Sequence, residues 1–433
     1  MLSDSPYVNV QGDIPIDLPQ GSFISVHREP ALKLYSIGFQ PAKSIPEIPR
    51  WFLSKYGTRS FTVLEPFAGS GTTIIEALKY GASIYWLDYH PLSRLICRVK
   101  TMQVEPEEVR RETSRIISNG LKREGVPQTI AFANKDFWFQ KPVQDALEVI
   151  RCEIRNAEQS TQSLLWLAFA STVRKTSDMN DSMILAAKRS QIADTPHYSR
   201  GDVFHYFESY VQKILDALIE RDHSLKDALK NSKELLIPDA RNLFGEWQCD
   251  AVITSPPYIN AIDYVWASKF ELHWLGYVQD DHDRLCLYEK EIGTERIAKH
   301  AYEKLGRTGV DSLDQLIEDV FTGKIYKATP GQNALRARVV YQYFVDMQAH
   351  FKSSARHVRS GGYYCFSIGE KSRICGVEIP VAEIMAGLAG RAGFQPIFQF
   401  HVLLKNRRLN VPRNVGWAGT IKHDTVIVLQ KAT

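Results

Sequence analysis

The sequence predicts an α/β fold in which a mostly parallel sheet carries a ligand site where its strands end. Residues 61–64 form a short apolar run, followed by a glycine-containing turn and a helical pattern at residues 74–78. A second apolar run, at residues 251–253, leads to the tetrapeptide at residues 255–258. Open α/β sheets bind ligands at the carboxyl ends of their strands, so both turns are candidate site elements.

The turn after the first of these strands is the first candidate ligand loop. It reads Glu65-Pro66-Phe67-Ala68-Gly69-Ser70-Gly71-Thr72-Thr73. Its two glycines let the backbone approach a ligand closely, and the following helix offers free N–H groups at its amino terminus. No lysine follows the second glycine, and Ile74 stands where a dinucleotide-binding fingerprint needs a third glycine. The turn therefore fits neither a phosphate loop nor a dinucleotide site.

Acids follow the next two predicted strands. Residues 83–87 read as a strand that is closed by Asp88, about twenty residues beyond the glycines, where a carboxylate can bind two ribose hydroxyls. Residues 235–238 read as a third strand that leads to Asp239 and Ala240. An acid at that position can accept a hydrogen bond from an adenine amino group.

The tetrapeptide Ser255-Pro256-Pro257-Tyr258 provides the chemistry needed to modify an exocyclic amine. Two successive prolines lack N–H groups and have a fixed φ, so the Pro256 carbonyl is expected to point into a cavity as an acceptor. Ser255 adds a second acceptor, and Tyr258 supplies a flat ring on which a planar base can lie. Hydrogen bonds from both N–H groups of the amine to these acceptors localise the nitrogen lone pair, which makes the amine a better nucleophile.

These motifs, in this order, resemble the S-adenosylmethionine-dependent amino methyltransferases of DNA. The resemblance implies a Rossmann-like fold: a mostly parallel seven-stranded sheet with a terminal antiparallel hairpin, and helical insertions. It also implies that the turn holds the methionine part of S-adenosylmethionine, Asp88 the ribose and Asp239 the adenine, while residues 40–46 close over the methionine end. The cofactor-binding residues so implied are Ala42, Lys43, Glu65, Pro66, Phe67, Ala68, Gly69, Ser70, Gly71, Thr72, Asp88, Asp239 and Ala240.

The tetrapeptide corresponds to the catalytic motif of that family. Members that modify N4 of cytosine usually begin the motif with Ser, as here, whereas those that modify N6 of adenine begin it with Asp or Asn. We therefore expect a flipped-out cytosine to bind at Tyr258 and its amine to meet Ser255 and Pro256. An adenine N6 enzyme stays the alternative. A covalent cytosine C5 mechanism is disfavoured because none of the six cysteines lies in a Pro-Cys motif.

Two readings of another class also stay open. An RNA or protein methyltransferase with this fold is disfavoured because no RNA-binding module is recognisable at either end of the chain. A cofactor-binding module without catalysis is disfavoured because Ser255 and the glycine turn are both intact.

The chain is longer than the ~200 to 250 residues that such an α/β unit needs. We assign residues 1–100 and 235–433 to the catalytic domain. Residues 101–234 form an inserted, mainly helical region and a candidate target-recognition region, and residues 280–337 form a second insertion that is a candidate cap over the DNA cleft. Residues 363–368 read as a fifth strand, residues 394–404 and 425–430 as a closing hairpin, and only the first ~20 residues as disordered.

Basic residues in two stretches are candidate contacts to the DNA backbone, which a basic loop can neutralise. The candidates are Arg174, Lys175, Lys188 and Arg189 in the first insertion, and Lys405, Arg407, Arg408 and Arg413 between the hairpin strands. The expected partner is double-stranded DNA, in a restriction-modification or epigenetic marking role, with a cognate restriction endonuclease as a candidate partner.

Composition agrees with a soluble intracellular enzyme, and the resemblance implies the prokaryotic cytoplasm, in association with the nucleoid. The 433 residues are 44% hydrophobic, with no apolar run long enough for a membrane span and no signal-peptide pattern. The net charge of +4 is small, so DNA binding must depend on local basic patches. The cysteines form no C-x-x-C pair, and histidines and acids show no metal-site spacing, so neither zinc nor disulfides are expected.

Overall fold

The computed structural model describes residues 6–27, 32–41, 43–126, 128–180, 183–188, 196–259, 262–302, 305–329, 331–403 and 422–433. The strands are β1 (Tyr7–Gln11), β2 (Phe23–His27), β3 (Thr62–Glu65), β4 (Ser83–Trp86), β5 (Ser232–Glu234), β6 (Cys249–Thr254), β7 (Val358–Gly369), β8 (Ser372–Ile374), β9 (Val377–Ile379), β10 (Phe394–Leu403) and β11 (His423–Lys431). The helices are α1 (Glu47–Tyr56), α2 (Thr72–Tyr80), α3 (Pro91–Thr101), α4 (Pro106–Lys122), α5 (Lys135–Trp138), α6 (Lys141–Arg155), α7 (Gln159–Thr176), α8 (Arg200–Leu225), α9 (Tyr264–Ala267), α10 (Lys269–Leu275), α11 (Asp281–Lys290), α12 (Asp311–Thr322), α13 (Gln332–Ala355) and α14 (Val381–Arg391).

The main sheet has nine strands in the order β1-β2-β10-β11-β7-β6-β3-β4-β5. Every pairing in it is parallel except those that β11 makes with β10 and β7. The strands from β5 to β10 are the predicted mostly parallel seven-stranded sheet with its terminal antiparallel hairpin, so this prediction is confirmed. β8 and β9 form a separate two-stranded ribbon.

The structure differs from the sequence prediction in two strands. The third strand is β5, which precedes residues 235–238 and consists of Ser, Lys and Glu. It was missed because it is an edge strand of three polar residues, with none of the apolar pattern that marks a buried strand. The N-terminal residues 7–11 form β1, where disorder was predicted, and Val10 in that strand is buried.

Both faces of the sheet are covered, as expected for a parallel sheet. Neighbouring residues of one strand enter different cores: Val63 packs with the first and Leu64 with the second. Helices α1 to α4 and α6 to α8 contribute to the first core, and α12, α13 and α14 to the second. The site is therefore left at the edge of the sheet, where the strands end.

The predicted insertions are largely helical where they are described. The helical patterns at residues 143–154, 164–173 and 203–219 lie within α6, α7 and α8. The second insertion contains α11, α12 and the start of α13. The division into domains and the roles of both insertions stay predictions. None of the helices in the described ranges is long and apolar enough to span a membrane.

Candidate active site

A cavity of about 440 Å³ lies at the carboxyl ends of β3, β4, β6 and β7. The turn after β3 and the tetrapeptide after β6 meet there because β3 and β6 are parallel neighbours in the sheet. The predicted site residues that line the cavity are Lys43, Glu65, Pro66, Phe67, Ala68, Gly69, Ser70, Thr72, Asp88, Ala240, Ser255, Pro256, Pro257 and Tyr258. Gly71 and Asp239 are not among the described residues that line it, and Ala42 lies outside the described residues.

The glycine turn is held in a conformation that requires its glycines. Gly69 and Gly71 have φ angles of +50° and +76°, which are unfavourable for other residues. A Cβ atom at Gly71 would lie 3.3 Å from Cys97 Sγ, so the turn packs tightly on α3. The Gly71 N–H donates to the Ala68 carbonyl over 2.7 Å, directly before α2 begins at Thr72.

Two buried carboxyls hold the backbone around this turn. Glu65 Oε1 accepts from the Phe67 N–H over 3.0 Å and from the Thr254 hydroxyl, which connects the ends of β3 and β6. Asp88 accepts from the Gly69 N–H and the His90 N–H, each over 2.8 Å. Asp88 therefore fastens the glycine turn to the end of β4.

Burial shifts the protonation of both carboxyls. It raises the pKa of Glu65 to about 7 and that of Asp88 to about 6, because loss of water penalises the charged form. Their hydrogen bonds, which favour the charged form, only partly oppose this effect. The cavity wall thus holds acids that gain negative charge readily when a cation binds beside them.

Two lysines lie at the glycine turn or in the cavity that it lines, and one of them was not predicted. Lys100 Nζ donates to the Ser70 carbonyl over 2.8 Å, and burial lowers the pKa of Lys100 to about 7. Lys43, a predicted residue, lines the cavity, and its ammonium donates to the Tyr35 carbonyl over 3.0 Å. Lys100 was missed because a lysine within the amphipathic α3 reads as a surface residue from sequence.

Two hydrogen bonds anchor the tetrapeptide, whose four residues line the cavity. The Tyr343 hydroxyl donates to the Pro257 carbonyl over 3.0 Å, and the Ser255 hydroxyl donates to the Ser367 carbonyl over 3.3 Å. Because the Ser255 hydrogen is directed at β7, the lone pairs of its oxygen remain for another donor. Among the described residues, none donates a hydrogen bond to the Pro256 carbonyl. The loop therefore presents two acceptors.

Asp239 is engaged with a neighbouring cation. Both of its oxygens accept from the Arg241 guanidinium, one of them over 2.7 Å, and Arg241 also pairs with Asp346 at 3.1 Å. Its neighbour Ala240 does line the cavity. An adenine contact by Asp239 stays a prediction, and it would require the Asp239 carboxylate to bind adenine and Arg241 at the same time.

Two further residues line the cavity that were not predicted from the sequence. His90 lines the cavity, and burial lowers its pKa to about 4, so its ring is neutral at pH 7. Glu291 reaches the cavity from the second insertion and accepts from the Tyr264 N–H over 2.8 Å. Burial and the nearby Asp263 raise the pKa of Glu291 to about 8. No local motif marks a residue that approaches the site from a distant insertion, so sequence gave no signal for Glu291.

Three of the predicted DNA-binding residues contact other side chains of the protein, and one of them, Arg174, is largely buried. Arg174 pairs with Glu271 at 3.1 Å, donates to the Ala267 carbonyl over 3.0 Å, and its side chain is 16% exposed. Lys188 lies 4.0 Å from the Phe137 ring centre and Lys175 lies 5.5 Å from that of Tyr206. For Arg174 this arrangement favours a structural role over the predicted phosphate contact. The predicted residues Arg189, Lys405, Arg407, Arg408 and Arg413 lie outside the described residues.

Comparison with known proteins agrees with the motifs. The chain is 22% identical over 399 residues to the Type II methyltransferase M.MvaI of Kocuria varians, covering 86% of this chain and 85% of that protein. It is 22% identical over 427 residues to M.BsoBI of Geobacillus stearothermophilus (87% and 81%) and 21% identical over 398 residues to M.AvaI of Anabaena variabilis (83% and 81%). No protein-family model matches the chain. The resemblance seen in the motifs is confirmed, because the chain is similar over most of its length to Type II methyltransferases.

Proposed function

We propose that this protein is an S-adenosylmethionine-dependent DNA methyltransferase that methylates the exocyclic N4 amine of cytosine. One observation carries the proposal: the tetrapeptide at residues 255–258 and the glycine turn after β3 line the same cavity. A methyl donor held by the turn and an amine held by the tetrapeptide would face each other across a short distance. DNA as the substrate is supported by relatives named Type II methyltransferases, which match more than four fifths of the chain.

The residues around the glycine turn suit S-adenosylmethionine, which supplies a methyl group on a positively charged sulfonium. That molecule also carries an ammonium group on its methionine part. The buried acids Glu65 and Asp88 complement such charges, since a nearby cation favours their ionised forms. In the proposed complex Asp88 binds the ribose hydroxyls, and Ala240 lies at the adenine end.

The tetrapeptide activates the amine by accepting a hydrogen bond from each of its two N–H groups. Ser255 Oγ and the Pro256 carbonyl are the acceptors, and the anchoring of Pro257 by Tyr343 keeps the loop in place. As the hydrogens are held, the nitrogen lone pair leaves the conjugated ring and points at the methyl group. Tyr258 receives the base after it has been flipped out of double-stranded DNA.

Cytosine is favoured over adenine because Ser stands first in the tetrapeptide. Mass spectrometry of nucleosides from a methylation-free host that expresses the protein tests this choice directly. N4-methylcytosine that disappears with Ser255→Ala is the expected result. N6-methyladenine would keep the mechanism but overturn the base assignment, while no modified nucleoside would argue against DNA methylation by this chain alone.

Binding of S-adenosylmethionine is expected to release protons at pH 7. Glu65 has a pKa of about 7, so it is about half protonated, and a cation beside it favours loss of that proton. Calorimetric titration in buffers of different ionisation enthalpy should show a release to which Glu65 contributes ~0.5 proton per ligand. Glu65→Gln should remove this contribution and so lower the number of protons released. A wild-type binding enthalpy that is independent of the buffer would contradict the expectation.

The same shift has a consequence for the unliganded protein. Because the pKa of Glu65 is raised above its ordinary value of 4.5, the folded state binds more protons than the unfolded state between pH 4.5 and about 7. Glu65 therefore lowers the stability of the free protein as the pH rises through this range. The unfolding temperature of wild type should therefore fall more between pH 5 and pH 8 than that of Glu65→Gln.

Arg174 and the pair Arg407 and Arg408 are expected to behave differently. Arg174→Met should lower the unfolding temperature because it leaves the buried Glu271 without its cation, yet it should leave the salt dependence of DNA binding unchanged. Reversing the charges at Arg407 and Arg408 should weaken DNA binding and flatten its salt dependence. Fluorescence anisotropy of labelled DNA across a salt series measures the salt dependence of binding for both sets of variants, and thermal unfolding measures the stability of Arg174→Met. A flattened slope for Arg174→Met would instead restore it as a phosphate contact.

A further inference from the structure

Asp424, near the start of β11, is a cavity residue that no sequence motif indicated. Antiparallel pairing sets it opposite Gly369 on β7 and Val402 on β10. Because β11 runs against the parallel strands, its first residues lie at the edge where β6 and β7 end. The side chain is 4% exposed and lines the cavity together with Ser367 and Val402. The terminal hairpin thus contributes a buried carboxylate to the wall nearest the tetrapeptide.

The Asp424 carboxylate holds the far end of Tyr258. The Tyr258 hydroxyl donates to Asp424 Oδ1 over 2.6 Å, which joins residues that are 166 positions apart in the chain. A hydrogen bond to a carboxylate is roughly twice as strong as one between neutral groups. Fixing the hydroxyl oxygen fixes the direction of the ring axis, and because the phenolic O–H bond prefers to lie in the plane of the ring, the position of the carboxylate also favours one rotation of the ring about that axis.

The backbone of Tyr258 is also constrained. The preceding Pro257 carbonyl accepts from the Tyr343 hydroxyl over 3.0 Å. A Cβ atom at Gly293 would lie 3.3 Å from the Tyr258 carbonyl, so the chain of the second insertion packs against it. With the backbone held in this way, the hydrogen bond at the hydroxyl restrains the ring further, in addition to its packing against the second core.

We infer that Asp424 is a positioning residue for the target base: it holds the Tyr258 ring as a fixed surface that stacks the base with its amine at Ser255 and Pro256. This inference rests on the proposed function, because it concerns the base that the cavity receives. Both acceptors belong to an anchored loop, so a small tilt of the stacked base would move its amine away from them. Asp424 acts through Tyr258, without taking part in the transfer.

A double-mutant cycle between Asp424 and Tyr258 tests the inference. Asp424→Ala and Tyr258→Phe each remove the hydrogen bond but leave the ring, so each should lower the single-turnover rate about 10-fold. The double variant should be little slower than either single variant, because the two changes remove the same interaction. Asp424→Asn keeps an oxygen acceptor and should recover most of the rate.

Three further measurements separate positioning from a general effect on the fold. The affinity for S-adenosylmethionine should stay within about 2-fold of wild type in every variant. Fluorescence of 2-aminopurine at the target position should report a base that is flipped but less ordered in Asp424→Ala. Asp250→Ala is the matched control, since Asp250 lies on β6 and accepts from the Thr62 N–H over 2.7 Å at the other end of the strand.

Each outcome decides the question. The positioning role would be overturned if the rate loss in the double variant equalled the product of the losses in the two single variants. Equal rate losses in Asp250→Ala and Asp424→Ala would overturn it as well. Either outcome would leave the proposed function intact. If the wild-type protein neither methylates DNA nor raises 2-aminopurine fluorescence, the proposed function falls and the inference falls with it. Coupled losses with unchanged cofactor affinity support both.

Discussion

Replacing Ser255 by alanine is expected to lower turnover by ~10- to 1,000-fold while leaving the affinity for S-adenosylmethionine nearly unchanged. The Ser255 hydroxyl donates to the Ser367 carbonyl over 3.3 Å, which leaves the lone pairs of its oxygen for the substrate amine. The lost interaction strengthens as the amine nitrogen becomes tetrahedral, so the loss falls on the rate of the chemical step. Single-turnover methylation of a duplex that contains the target site measures that rate.

Two variants make the Ser255 result specific. Ser360→Ala is the matched control, because Ser360 lies on β7 and its hydroxyl also donates to a backbone carbonyl, that of Ala432 over 3.2 Å. It should leave turnover unchanged. Ser255→Asn restores an oxygen acceptor at the tetrapeptide and should recover part of the lost rate. Unchanged turnover in Ser255→Ala would remove this hydroxyl from the mechanism and leave the Pro256 carbonyl as the proposed acceptor.

The parts of the site that sequence predicted are those in which a local motif ends a buried strand. The glycine turn follows β3 and the tetrapeptide follows β6, and parallel pairing, with Val63 opposite Ala251, brings these ends together. Apolar runs mark both strands, so the meeting of the two motifs could be expected before the structure was known. Edge strand β5 lacks such a run, and its position was therefore predicted wrongly.

Residues that reach the site from elsewhere could not be predicted in this way. Asp424 and Glu291 each act on a residue far away in sequence, and a lone acid in a strand or after a helix has many ordinary roles. Arg174 is the reverse case: its predicted phosphate contact stays a prediction, but its side chain is largely buried. Its basic, hydroxyl-rich neighbourhood reads as a loop at the surface, but α7 continues to Thr176 and directs the guanidinium to Glu271. Whether such a charged side chain is buried or exposed depends on tertiary packing, which a local sequence pattern does not reveal.

Replacing Asp88 by alanine is expected to weaken binding of S-adenosylmethionine by ~10- to 100-fold, through two combined losses. The variant removes the proposed acceptor of the ribose hydroxyls. It also frees the N–H groups of Gly69 and His90, each of which now donates to this carboxylate over 2.8 Å, so the glycine turn is no longer fastened to β4. Because each carboxylate oxygen has a second lone pair, Asp88 can keep both backbone contacts while it binds ribose.

Calorimetric titration at pH 7.5 measures this loss under conditions in which Asp88, with a pKa of about 6, is ionised. Glu234→Gln is the matched control, since Glu234 ends the neighbouring strand β5 and pairs with Arg94 at 2.7 Å outside the described cavity wall. It should bind the cofactor like wild type. Asp88→Asn, which keeps one oxygen acceptor, should fall between wild type and Asp88→Ala. Equal affinity in Asp88→Ala would mean that the ribose does not lie over β4, and the proposed orientation of the cofactor would have to be reversed.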